Sequence, residues 1–123
     1  MKSYTNIEQS RMLADILPIE SADMCFNISQ CSNMPPLMTP YIKFNEFFNI
    51  GETPDFLIPC WSLTALLDVL PYPQLSKDKL GSGKVGWMVS VYPDNCRYDS
   101  CWHDNPIDAC IEMVLKLNEL KIL

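Results

Sequence analysis

The spacing of apolar and polar residues changes several times along the chain, and each change marks an element. Thr5-Asn6-Ile7-Glu8 has the spacing of a capping box, with Thr5 accepting from an early backbone N–H and Glu8 reaching back. Behind it Ile7, Met12, Leu13, Ile16 and Leu17 form an approximate helical stripe that Pro18 stops, which predicts a helix over about 6–17. Met24 to Ser29 alternates, with Met24, Phe26 and Ile28 on one side, and predicts a strand with one buried face. Cys31 to Pro40 holds three prolines and reads as a loop or edge segment. Tyr41 to Phe48 reads as a returning strand with Ile42 and Phe44 inward, and Gly51 to Asp55 as a turn.

The second half is patterned more clearly. Ser62 is a natural N-cap, and Leu63, Leu66, Leu67 and Leu70 follow at helical spacing until Pro71 ends the run. Gln74–Leu80 and Val85–Tyr92 are joined by Gly81-Ser82-Gly83 and predict a β-hairpin. Tyr98 to His103 offers a further short strand. Asn105 caps a last helix, Pro106 takes its first position, and Ile107, Cys110, Ile111, Val114, Leu117 and Leu120 form its buried stripe. The sum is an α+β fold, about three helices packed on a small, mostly antiparallel β-sheet, in a single domain over 1–123.

Composition narrows the function classes. Hydrophobic residues make up 48% of the 123 and charged residues 20%, which excludes a disordered chain. Nine basic residues stand against 15 acidic ones, so the net charge of −6 argues against binding a nucleic-acid polymer. No run reaches the ~18 apolar residues that a membrane span needs. Met1 to Asn6 shows no apolar stretch of a secretory signal, so the expected location is the cytoplasm. Six cysteines are then expected to be thiols rather than disulfides, with Cys60 and Cys110 acting as small core side chains.

Some of these segments carry a family resemblance. Pro59-Cys60-Trp61-Ser62-Leu63, Leu66-Leu67-Asp68-Val69-Leu70-Pro71 and Pro106-Ile107-Asp108-Ala109-Cys110-Ile111-Glu112-Met113 are its main blocks. Together with Glu8-Gln9-Ser10 and Ala22-Asp23-Met24, they resemble uncharacterised small proteins encoded by gut Bacteroidales bacteria and their phages. The resemblance covers most of the chain but neither Cys31–Pro40 nor Lys77–Lys84. It implies a compact cytoplasmic accessory protein of phage or mobile-element type, and it assigns no residue a role.

Candidate chemistry comes from the residues themselves. Residues 76–91 carry Lys77, Lys79 and Lys84 against Asp78, a local +2, whereas 1–75 sum to −5 and 92–123 to −3. Gly81-Ser82-Gly83-Lys84 lacks the leading glycine and the final Ser or Thr of a phosphate loop, which excludes the NTPase motif. A cationic turn with glycine N–H groups still suits an anion. Arg97, Trp102 and His103 complete the candidate ligand site, with Trp61 and Trp87 expected to be packed and Trp102 exposed. Cys96, Cys101 and His103 are the atoms for a zinc site or a nucleophile–base pair, with Asp99 or Asp104 orienting the ring, but the spacing of a closed site is missing. Asp94, Asp99, Asp104 and Asp108 lack calcium-loop spacing.

The leading expectation is therefore a non-enzymatic protein without a cofactor, holding a small anionic or nucleotide-like ligand, with sequestration of a host nucleotide signal as its specific form. The alternative is a protein-interaction or homo-oligomerising module acting on a host protein through Met34 to Met38. A Cys/His metal or hydrolase site is the third.

Overall fold

The computed structural model describes residues 3–27, 41–42 and 57–123. The expectations for Ile28–Ser29, Cys31–Pro40 with Met34–Met38, Lys43–Phe48 and Gly51–Asp55 lie outside the described residues. Within them the α+β class holds, with three α-helices and two three-stranded antiparallel sheets.

Helix α1 spans Ile7–Ala14, and its N-cap is Asn6 rather than Thr5. Asn6 accepts from the Gln9 N–H at 2.7 Å, and the Gln9 side chain accepts from the Asn6 N–H at 3.1 Å. The capping box is thus real but begins one residue later than the sequence suggests. Thr5 is fully buried, and its hydroxyl meets the Ser10 hydroxyl at 2.7 Å and accepts the Trp61 N–H at 3.1 Å. A hydroxyl this useful to the core cannot also cap a helix.

Strands β1 (Met24–Asn27), β2 (Tyr41–Ile42) and β3 (Leu57–Cys60) form the first sheet in the order β2-β1-β3. Sequence periodicity gave β1 one buried face, yet both Cys25 and Phe26 are buried. Cys25 packs with Leu57 and Ile19 on one side, and Phe26 with Ile58, Cys60 and Tyr4 on the other. All four β3 residues are buried, as a continuous apolar run allows. Among the described strands β3 pairs only with β1, an outer position that tolerates Pro59.

Helix α2 (Leu63–Val69) starts at Ser62, whose hydroxyl accepts the Ala65 N–H at 3.2 Å. Asp23 anchors that cap, accepting from both the hydroxyl and the N–H of Ser62. Helix α3 (Pro106–Glu119) has Asn105 as N-cap and Pro106 in its first turn, as predicted. Strands β4 (Gln74–Lys79), β5 (Val85–Val91) and β6 (Tyr98–Asp99) form the second sheet, with β5 in the middle. Val89 and Val91 on β5 meet α3 residues such as Ile111, Val114 and Leu117, with Leu66 and Trp61 closing the same core.

The two ends of β5 differ. At one end Leu80 and Gly83 close a tight turn through a 2.8 Å bond from the Gly83 N–H, and Gly83 sits at φ +88°, which favours glycine. At the other, Pro71 accepts the Tyr92 N–H at 3.1 Å, and Tyr72, Asp94 and Asn95 all have positive φ. Such a conformation costs a bulky residue of order 1–3 kcal/mol.

Candidate ligand-binding site on the second sheet

Trp87 spends its backbone on His103: its N–H donates at 2.7 Å and its C=O accepts at 2.8 Å. Toward β4 it therefore faces Lys77 as a non-hydrogen-bonded pair, the register in which opposed side chains approach most closely. The Lys77 ammonium lies 5.1 Å from the centre of the Trp87 ring, a cation–π contact. Residues opposed across strands share a face, so Lys77, Trp87 and His103 form one row across the sheet. Leu75 and Val89 form the next row, and Val89 is fully buried. Trp87, expected to be core, is only half-buried. The row thus stands where the inner face leaves the core.

The strand carrying His103 is bulged. Ser100 bonds to Val89 and His103 to Trp87, so three steps on one strand match two on the other. The extra residue falls at Cys101 and Trp102. Ser100 fills the gap in the ladder, its hydroxyl accepting the Val89 N–H at 3.0 Å and donating to the Cys101 carbonyl at 2.9 Å. Trp102 is 40% exposed, as predicted.

Glu112 of α3 holds this bulge, and sequence reasoning did not find it. Its carboxylate accepts the Cys101 N–H at 2.9 Å and meets His103 Nε2 at 2.9 Å. Burial works to raise the Glu112 pKa, but the hydrogen bonds from His103 and the Cys101 amide outweigh it, and the carboxyl lies below its ordinary range. The His103 ring is thus oriented by Glu112, not by Asp99 or Asp104. Asp99 is engaged elsewhere: the Ser90 hydroxyl at 2.6 Å and then Arg97 at 2.8 Å lower its pKa.

The remaining predicted residues divide. Lys79 opposes Val85 on the same face as Lys77, and Gly81, Ser82, Gly83 and Lys84 form the exposed apex just beyond. The Gly83 amide is committed to the turn, so the apex offers fewer N–H groups to an anion than its composition suggests. Arg97 is not part of the cluster: it precedes Tyr98, which pairs with Val91 at the far end of β5. Trp61 is wholly buried, with its indole N–H donating to Ser21 at 2.9 Å.

Cys96 and Cys101 are exposed thiols, and no group of three His, Cys, Asp or Glu residues among the described ones is placed to hold a metal ion. Burial pushes the Cys60 thiol up to about 11 and the Cys110 thiol to about 12, as expected for core side chains. Among the described residues no helix is long and apolar enough to cross a membrane. No protein-family model, curated protein or solved structure matches the chain.

Proposed function

We propose that this is a non-enzymatic binding protein for a small anionic, nucleotide-like ligand, seated beside the Lys77–Trp87–His103 row. The observation that carries the reading is the Lys77 ammonium poised over a half-buried indole at the edge of the core. A fixed cation and a flat π-surface suit a phosphorylated base: the first takes the charge, the second the ring. Lys79 and Lys84 add charge at the apex, and Trp102 offers a second exposed ring near His103. A host nucleotide signal, sequestered in the cytoplasm by a phage or mobile-element accessory protein, is the specific form of the proposal.

The test is thermal shift against a panel of nucleoside mono-, di- and triphosphates and cyclic dinucleotides, with inorganic phosphate as control. A binder at a hundred times its Kd adds about 2.7 kcal/mol of stability. Lys77→Ala combined with Lys84→Ala is expected to abolish that shift while the unliganded variant still melts cooperatively. A shift that persists in the double variant, or no shift with any member of the panel, overturns the reading.

A further inference from the structure

The two edges of the second sheet differ. On the β6 side, α3 reaches over the outward-facing main chain: Lys116 donates to the Asp99 carbonyl at 3.2 Å, and Glu112 accepts the Cys101 N–H at 2.9 Å. The β4 side has no such cover. Trp87 and Val89 direct their main-chain groups to the far strand, at His103 and Ser100, so the residues opposite them on β4 pair without hydrogen bonds. Those residues are Lys77 and Leu75, and their N–H and C=O groups point away from the sheet. Among the described residues these four groups have no partner.

The opening has a definite end. The Asp78 carboxylate accepts the Lys79 N–H at 2.8 Å, so the next outward-facing amide toward the apex is closed by its own chain. What stays open is a template about 7 Å long, and an unpaired edge of this kind invites a strand. Leu75, Lys77 and Lys79 alternate along β4 and share a face, with Leu75 packed on the core and both lysines exposed. The one carboxylate within β4, Asp78, lies on the other face and is already bonded to the main chain.

We infer that the β4 edge takes an extended acidic segment of another protein as an added strand, antiparallel like every described pair. Residues directly opposed across such a pair share a face, so the guest places acids against Lys79 and Lys77 and an apolar side chain against Leu75. Along the guest the order is acid–x–acid–x–apolar. Main-chain bonds to Leu75 and Lys77 supply the affinity, and the two charge pairs set the register. Charge complementarity chooses this occupant over a second copy. A second β4 presents on this face the same leucine and lysines, with no carboxylate to oppose them, on a body that also carries −6. The main-chain groups are open whether or not a nucleotide lies beside Trp87, so the inference does not rest on that reading.

The probe is the end-blocked peptide Thr-Glu-Thr-Glu-Thr-Val-Thr, added to the full chain and read by amide hydrogen exchange. In the free protein the Leu75 and Lys77 amides should exchange quickly, while Ser76 and Asp78, bonded to β5, stay protected. The peptide should slow Leu75 and Lys77 by at least about tenfold, and rising salt should weaken the effect. N-methylation of the second glutamate or of the valine should abolish binding, because their N–H groups face β4. N-methylation of the threonine between them, whose N–H faces away, should not. Lysine in place of both glutamates should weaken binding at least about tenfold. The inference is overturned by Leu75 and Lys77 amides already protected in the free chain, or by protection that rises with protein concentration alone. It is equally overturned by equal binding of the lysine peptide, by indifference to which amide is methylated, or by no protection at about 1 mM peptide.

Discussion

Glu112 shows how much one side chain can organise. It joins α3 to the bulged strand through the Cys101 amide and the His103 ring, and His103 is bonded to Trp87. Because its folded pKa is lowered, its contribution is fully present above the ordinary value of 4.5 and is lost as pH falls through the lower folded value. Glu112→Gln should therefore melt below the wild type at neutral pH, and the gap should close in acid, where the native carboxyl is itself neutral. A gap that stays constant between about pH 3 and 7 would deny the carboxylate this role. The thiols sort by the same kind of reasoning. Native-state alkylation followed by peptide mapping should label Cys96 and Cys101 quickly, and Cys60 and Cys110 only on unfolding, given their burial and raised pKa values. Early labelling of Cys110 would contradict the packing of α3. The sequence marked Cys60 and Cys110 as core through their apolar neighbours, but nothing in it placed Glu112 against His103, because that contact depends on how α3 lies along the sheet.

At the level of elements, local signals worked where they were self-contained. Ser62 and Asn105 have nearby amides to cap, and prolines bound their helices, so α2 and α3 were legible. Thr5 misled because a tertiary demand from Ser10 and Trp61 displaced it from the cap. Strand β3 was missed, since a four-residue apolar run carries no period to read. The edges of the second sheet are also tertiary facts. The Asp78 carboxylate accepts the Lys79 N–H at 2.8 Å on β4, while Lys116 donates to the Asp99 carbonyl at 3.2 Å and Glu112 takes the Cys101 N–H. Side chains thereby occupy main-chain groups that would otherwise invite another strand. Helix α2, only seven residues long, depends on its buried face. Leu66→Ala should cost about 2–5 kcal/mol in urea unfolding with little change in slope, Leu66 being wholly buried. A loss below about 1 kcal/mol would mean that the α2–α3 contact is not part of the cooperative core.

For the whole molecule the charge arithmetic of the sequence was informative, and its spatial meaning was not. The lysines of 76–91 fell together at one end of a hairpin, as their spacing implied. Arg97 was grouped with them because it is near in the chain, yet an antiparallel sheet sends sequence neighbours to opposite ends. Strand β5, with seven residues, separates those ends by about 20 Å. Changes at the cationic apex therefore do not reach the end where the Pro71 carbonyl accepts the Tyr92 N–H. A span of that length makes the sheet a spacer, so a substitution at one tip can be read without disturbing the other.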